Sequence, residues 1–469
     1  MTESHLRSLE SIVPSPEGPE IEVAAAGPTA DEAGPSETRK SERASIAQRW
    51  VPVRWLYDAL YWLLYVTLGG MNRLLARPRP VEGRPISVLR VVSSVAEGGV
   101  AKVALQTTLA MSPEHVRTIF VVFGSRRRLP EVLRDRPTIG FIRRKMELFP
   151  AEREWRLFRD LWKLARLIAR ERPDLVHVHE PQFVAPVQMA AGLAGGCPVL
   201  PHLHSVYQGR REGSGGLQNH VERCALRVGP LMACSRTIAT EAVDWIGRLR
   251  QAPVVVEDGA DDIPAEGPDF DLIARLRHAA EGRTIVAVLA RLIPLKRIED
   301  VLTACRILLD EDHRIFVLLI AYGKEKREER MRTAFEEGFG PGEGLFLYRL
   351  KAPQHLLPLV GVGVSASILE GLGLNILEFQ SAGLPVVCTD IPAHREMVVD
   401  GQTGLLFPPK DIAALIRALK RVLGDPELAA RLGRAGQASA RRRTWRQAAL
   451  RTLEVYRALL EGGPPRRDA

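Results

Sequence analysis

The feature that most constrains the fold is an alternation that runs through most of the chain and starts twice. From Ile86 onward, short runs rich in Val, Ile and Leu alternate with longer stretches in which apolar residues recur every three or four positions. The short runs read as strands and the periodic stretches as helices, and their alternation is the pattern of parallel sheets with crossover helices. ISVLRVVSS, HVRTIFVVFG, DLVHVHE, CPVLPHLH, PLMACS and APVVVEDG supply the first strand series, with EREWRLFRDLWKLARLIARER as a long amphipathic helix within it. After DDIPAEGPDF a second series begins, with TIVAVLA, IFVLLIAYG, GLFLYRL, LVGVGVSAS and PVVCTD as strands and RIEDVLTACRILLDE as its first helix. The restart predicts two doubly wound α/β domains, at 81–265 and 266–440. A last helical run in 441–469, TWRQAALRTLEVYRALLEG, is long enough to reach back across the junction.

Residues 1–45 are dominated by Ser, Glu, Pro, Ala and Gly, and too few large apolar side chains are present to offset the entropy of ordering. A disordered tail is expected there. The segment 46–80 changes character, packing Trp55, Leu56, Tyr57, Leu60, Tyr61, Trp62, Leu63, Leu64 and Tyr65 between Arg54 and Arg73. Its apolar span is marginal for a bilayer core of about 30 Å and is broken by Asp58 and by Gly69 and Gly70. An interfacial helix with aromatic residues at headgroup level is the leading expectation. A transmembrane helix, or a helix packed on the protein's own surface or on a second subunit, stays open.

A formal charge of +9 suits a phosphate-rich ligand or an anionic membrane face and does not by itself name nucleic acid. No module with interleaved aromatic and basic residues points to nucleic acid. Basic runs stand at 125–128, 143–145 and 441–443. A solvated face is the first account of them, and a lipid-facing patch is favoured for Arg143, Arg144 and Lys145. The five cysteines, Cys197, Cys224, Cys234, Cys305 and Cys388, have no close spacing, which speaks against a zinc site or a disulfide framework. No signal-peptide pattern opens the chain, so a cytoplasmic protein, peripheral on the inner face of the plasma membrane, is expected.

The segment richest in chemistry is SASILEGLGLNILEFQSAGLPVVCTDIPAHREMVVDGQTGLLFPPKD. A strand ends at a Glu-Gly-x-Gly turn and a helix begins, so exposed backbone amides and the helix dipole favour a diphosphate. Glu370 stands at the mouth of the turn and Glu378 about two helical turns later, on the same side. Either glutamate alone would read as helix capping or solvation. With Gly371 and Gly373 after the first, and a small residue, Gly, x, Pro, Val, Val after the second, the segment resembles the donor-site signature of the family 4 retaining glycosyltransferases.

The resemblance runs from about Ile86 to about Leu460 and implies the GT-B fold: two Rossmann-like domains facing across a cleft, with the C-terminal helix crossing back. It implies a nucleotide-sugar donor, UDP- or GDP-linked, as co-substrate, with no metal and no other cofactor. Glu370 would contact the donor sugar, the amides around Gly371, Leu372, Gly373 and Leu374 the diphosphate, and Glu378 the ribose hydroxyls. In VAVLARLIPLKRIEDVL, which resembles the family's strand, loop and helix, Arg291 and Lys296 would meet the pyrophosphate, although Ala290 stands where the family usually has Gly. The glycine loop of Gly98 and Gly99 would approach the donor from the N-terminal domain, and His204 would hydrogen-bond the transferred sugar. His177 and His179 read as structural, with His202 leaving the register open. VEDGADDIP resembles the family's Asn-Gly-Val-Asp turn, with Asp258 for Asn and Ala260 for Val. Glu396 matches an acidic family position near the sugar pocket, and a carboxylate at a helix start accounts for it equally well.

The implied reaction is transfer to a hydroxyl of a glycan or lipid-linked acceptor with retained anomeric configuration, in cell-envelope or exopolysaccharide synthesis. Glu370 is expected to orient rather than attack. A nucleotide-sugar epimerase of related fold, or a scaffold relative that binds no donor, are the competing readings.

Overall fold

The computed structural model describes residues 59–78, 81–93, 98–123, 139–144, 155–205, 217–260, 267–350 and 352–462. The expected tail at 1–45, the basic run at 125–128 and Lys145 lie outside the described residues.

The first half folds around seven strands: β1 (Ile86–Val92), β2 (Val116–Phe123), β3 (Ile139–Arg144), β4 (Leu175–Val178), β5 (Val199–Leu203), β6 (Met232–Ala233) and β7 (Val254–Val255). Their order is β3-β2-β1-β4-β5-β6-β7, and each pairing is parallel. The second half folds around β8 (Thr284–Arg291), β9 (Ile315–Tyr322), β10 (Gly344–Tyr348), β11 (Val362–Ser365), β12 (Val386–Thr389) and β13 (Leu405–Phe407). These pair in the order β10-β9-β8-β11-β12-β13, again parallel throughout. Strands such as IFVLLIAY are buried along nearly their whole length because helices cover both faces, which is why they read as continuous apolar runs.

Preceding the first sheet, α1 is described over residues 59–75 and contains a π-helical turn at Tyr65–Gly69. Next come α2 (Gly99–Ala110), α3 (Trp155–Glu171), α4 (Val184–Leu193), α5 (Leu217–Leu226) and α6 (Arg236–Ile246). Helix α4, VAPVQMAAGL, is apolar all round and buried from Val184 to Gly192. A helix of that kind needs cover on every side, and α1 supplies the outer cover. A Cβ on Gly192 would sit 2.0 Å from the Leu68 carbonyl oxygen, and one on Gly196 would sit 2.4 Å from the Leu75 carbonyl carbon. Only glycine admits so close an approach. Asn72 then accepts the Cys197 backbone N–H at 2.8 Å, and Arg73 donates to the Tyr65 hydroxyl at 2.6 Å. The described part of the aromatic segment, residues 59–78, is therefore bound to its own domain through Tyr61, Tyr65, Gly69 and Asn72, so its inner face packs on the protein's own surface rather than on a membrane, while Trp55, Leu56 and Tyr57 lie outside the described residues. No helix among the described residues is long and apolar enough to cross a membrane.

In the second half α7 (Phe270–Ala280), α8 (Ile298–Asp310), α9 (Glu325–Gly338), α10 (Leu374–Ser381), α11 (Pro392–Arg395), α12 (Ile412–Gly424) and α13 (Pro426–Ala440) complete the layers. The final helix α14 (Trp445–Glu461) begins with a capping box formed by Thr444 and Gln447. It crosses back to lie against α2, burying Trp445, Leu453, Val455 and Tyr456. Its entry and the chain leaving the first sheet run side by side: Ala260 N–H donates to Arg443 O at 2.9 Å, and a Cβ on Gly259 would lie 2.3 Å from Trp445 N. Arg443 also donates to Glu257 at 2.9 Å and to the Glu396 carbonyl at 2.9 Å. The run 441–443 is thus not wholly a solvated face, since Arg443 pins the two interdomain crossings together.

Candidate donor site in the interdomain cleft

The C-terminal ends of the two sheets meet at one loop. After β11 the chain turns through Glu370, Gly371, Leu372 and Gly373 into α10. Gly371 is pressed against the other domain: a Cβ there would stand 2.1 Å from the His204 carbonyl oxygen, and its own carbonyl accepts the Ser235 hydroxyl at 2.6 Å. Gly373 is the N-cap of α10 with φ of 102°, a left-handed conformation that glycine adopts without strain. Leu374 opens α10, and Gly99 opens α2 directly opposite, where an added Cβ would touch the Leu374 side chain at 3.3 Å. Gly98, with φ of 98°, caps α2. The N-termini of α2 and α10 thus approach each other across the cleft, and the positive ends of both helix dipoles point there.

Each glutamate of the pair is matched by a lysine. Lys296, at the end of the loop after β8, donates to Glu370 Oε1. The two loops are joined by the backbone as well, with Ile368 N–H donating to Leu295 O at 3.0 Å. Burial alone would raise the Glu370 pKa, but Lys296 and its hydrogen bond, with His394 and Ser367, hold it below the usual carboxylate range. Glu370 is therefore a fixed anion rather than an acid. Glu378, on α10, accepts from Lys102, which sits on α2 of the other domain. Arg291 ends β8 in register with Tyr322 at the end of β9, and Asn375 of α10 donates to Leu289 O at 3.2 Å, so α10 is fastened to the strand that carries Arg291.

Several residues here were not singled out from the sequence. Besides Lys102 and Ser235, Tyr322 lies within the field of Arg291, Glu378 and Glu370, and its burial pushes its pKa up. His394 is fully buried beneath the turn: its Nδ1–H donates to Thr389 O at 2.8 Å, and its Cδ2 would lie 3.3 Å from a Cβ on Gly373. Burial lowers its pKa despite the opposing pull of Glu370. Glu180, after β4, accepts from the Ser93 N–H at 2.6 Å and from the Ser93 hydroxyl, tying the ends of β1 and β4 together on the opposite wall. A carboxylate or amine acting across a domain gap has no fixed sequence spacing, which is why these partners are invisible in the chain.

Two sequence-derived placements change. His204 reaches the turn with its backbone carbonyl, while its ring turns into a row of four histidines, with His179 Nδ1 and His204 Nε2 3.1 Å apart. His177 bonds the Tyr456 hydroxyl of α14 at 2.7 Å, in keeping with its structural reading. Glu396 does cap a helix start, but that of α6 in the other domain: its carboxylate accepts from Arg236 N–H at 2.9 Å and Thr237 N–H at 2.6 Å. Asp258 is buried, and burial followed by the neighbouring Glu257 raises its pKa well above normal. That shift favours the uncharged acid at the position where the family pattern has an uncharged carboxamide.

Among the described residues, two clusters bring metal-type ligand atoms within 4.8 Å of one another: His177, His179 and His202, and His204, Cys234 and Asp258. Neither contains a residue of the Glu370–Glu378 turn. The buried guanidinium of Arg90, paired in register with His177, opposes a second cation in the first cluster.

Residues 97–262 match the family described as Glycosyltransferase Family 4, and residues 271–439 match Glycosyl transferases group 1. Glycogen synthase of Mycobacterium tuberculosis is 30% identical over 313 residues, 62% of this chain and 70% of that protein. The chain belongs to the group 1 glycosyltransferases. A second relative of this glycosyltransferase is EpsD of Bacillus subtilis, itself named a glycosyltransferase. It is 29% identical over 188 residues, 40% of this chain and 49% of EpsD, so the match spans about half of that relative's length. Among solved structures, Anabaena HepE in complex with UDP and glucose superposes with a TM-score of 0.65 at 18% identity, covering 79% of this chain and 99% of HepE. At that identity the likeness bears on the fold, and the fold is GT-B.

Proposed function

We propose that this glycosyltransferase takes a sugar from a nucleoside-diphosphate donor, UDP- or GDP-linked, and passes it to a hydroxyl of a glycan or lipid-linked acceptor with retention of configuration, without a metal ion. The observation that carries the reading is the pairing of Glu370 with Lys296 and of Glu378 with Lys102 on either side of the Gly371–Gly373 turn. In this reading the diphosphate rests on the amides of that turn and of α2, reached by Gly98 and Gly99, with Arg291 and Lys296 as its fixed cations. Two such cations stabilise charge that grows as the nucleoside diphosphate departs. Glu378 exchanges its lysine partner for the ribose hydroxyls, and Glu370 holds the sugar.

Retention follows if the acceptor hydroxyl approaches on the face from which the diphosphate leaves, the departing phosphate taking its proton. Glu370, held anionic by Lys296, orients the sugar through hydrogen bonds. The crystallised HepE complex contains UDP and glucose, which favours a uridine donor as the first to try. The cell-envelope setting rests on the basic balance of the chain and on its aromatic N-terminal segment. A cytoplasmic location on the inner face of the plasma membrane would place the enzyme where such acceptors are presented.

Calorimetric titration with UDP-glucose and GDP-mannose in the presence of chelator tests donor binding. Glu378→Ala should weaken that binding at least tenfold. Lys296→Met should slow turnover by about 10²-fold with a smaller change in donor affinity. Transfer at the parental rate by both variants would remove the site assignment, and an inverted anomer in the product would remove retention.

A further inference from the structure

Helix α1 precedes the first strand of the first sheet and lies outside both family-matched segments, the earlier of which begins at residue 97. Its inner face is spent on α4. Its outer face is bare and apolar: Leu60, Leu63, Val66, Met71, Leu74 and Leu75 are 43%, 58%, 48%, 43%, 80% and 46% exposed. Among the described residues thirteen large apolar side chains are exposed, and these six fall within sixteen consecutive positions. Scattered exposed leucines need no explanation, but such a concentration marks a contact surface.

The distribution of polarity within α1 identifies the partner. A helix on a water-facing surface turns its polar groups outward. Here Asn72 is buried and bonded to Cys197, and the Tyr65 hydroxyl is held by Arg73, while the leucines face away from the protein. The charges are one-sided as well: between Asp58 and Glu82 the chain has no carboxylate and three arginines, Arg73, Arg77 and Arg79. Arg73 in the last turn of α1 and Arg77 just beyond it are exposed. The neighbouring α3, packed on the same α4, carries Trp162 56% exposed with the Arg166 guanidinium 4.6 Å from its ring centroid. A protein partner for a surface with only cations would need matching carboxylates around an apolar centre. A bilayer containing anionic lipid offers both the apolar interior and the phosphates without any specific fit.

We propose that the outer face of α1 docks on an anionic lipid bilayer, with the helix lying flat, Leu60, Leu63 and Leu74 entering the acyl boundary and Arg73 and Arg77 resting on lipid phosphates. Its inner face is packed on α4, so the helix lies along the surface and does not span. At 1.5 Å per residue its described turns, residues 59–75, cover roughly 25 Å along the surface.

The test is sedimentation of the full-length protein with vesicles of equimolar phosphatidylglycerol and phosphatidylcholine, and with phosphatidylcholine alone. Binding is expected to the anionic vesicles, to weaken at high salt, and to fall at least tenfold in Leu63→Asp combined with Leu74→Asp. Arg77→Glu should reduce it several-fold. Both leucines are solvent-exposed, so the double variant should keep its melting temperature and its nucleotide-sugar affinity, which separates this result from any failure of the donor site. The proposal is overturned if the parental protein ignores anionic vesicles, or if the double variant binds them equally. It is also overturned if the double variant dissociates a dimer in light scattering and the parental protein binds no vesicles, which would give the face to a second copy of the chain.

Discussion

At the scale of single residues, the cleft is built on contacts that tolerate no additional atoms. Gly371 could be read as a flexible turn residue, yet its demand is steric and comes from the other domain. The 2.1 Å separation between its hypothetical Cβ and the His204 carbonyl oxygen leaves no room for a methyl group. Gly371→Ala must therefore push the domains apart or displace the turn. It should lower donor affinity at least tenfold while changing the melting temperature by only a few degrees, because each sheet keeps its own core. Titration of the variant with UDP-glucose, beside a thermal melt, checks both halves. A variant with parental affinity would mean that the turn does not carry the diphosphate. Lys102 and Lys296 illustrate the complementary point. Each appears in sequence as one cation among many and acquires meaning only from the glutamate it faces.

At the scale of elements, helices are completed by residues from elsewhere. Helix α6 has Ser235 as its own cap, accepting from Ile238 N–H, but the N–H groups of Arg236 and Thr237 are taken by Glu396 from the second half of the chain. A carboxylate at a helix N-terminus also meets the positive end of the helix dipole. Loss of this cross-domain cap in Glu396→Ala should cost about 1 kcal/mol, in the range of N-cap losses. The deficit should appear as earlier unfolding in urea and as faster hydrogen exchange confined to the first turn of α6. Exchange unchanged in that turn would show that the cap adds nothing in solution. Helix α4 carries the same lesson for packing. Its lack of a polar face announces burial, but the sequence does not say that α1 is the covering element.

At the scale of the whole molecule, His177, His179, His202 and His204 form a row at the ends of β4 and β5, the first three buried and His204 partly so, with His177 against Tyr456 of α14. Burial foremost, then Arg90 and the histidines themselves, holds these rings below their usual pKa, with His204 lowered to about 3. In the unfolded chain each takes up a proton near pH about 6.5. Below that pH the unfolded state binds more protons than the folded one, so stability is full above it and falls as pH drops, for His204 down towards about 3. Each such ring contributes a slope of about 1.4 kcal/mol per pH unit within its window. The urea midpoint should therefore decrease from pH 7 to pH 5, and His202→Leu should flatten the decrease, since both ring nitrogens of His202 lack partners among the described residues. A parallel pH dependence in that variant would remove the row as its source.

The sequence by itself determined the fold class, the restart of the strand pattern, the returning C-terminal helix and the segment holding Glu370 and Glu378. These are local matters: strand and helix periodicity, glycines where backbone must come close, and a turn placed between a strand and a helix. Only the tertiary structure decided what faces what. It gave Lys102 to Glu378 and Lys296 to Glu370, turned the ring of His204 towards His179, assigned Glu396 to a helix start in the other domain and laid the inner face of α1 on α4. Spacing along a chain specifies neighbours within one element, whereas charge pairing across a cleft joins residues such as Lys102 and Glu378, 276 positions apart, which no local pattern encodes.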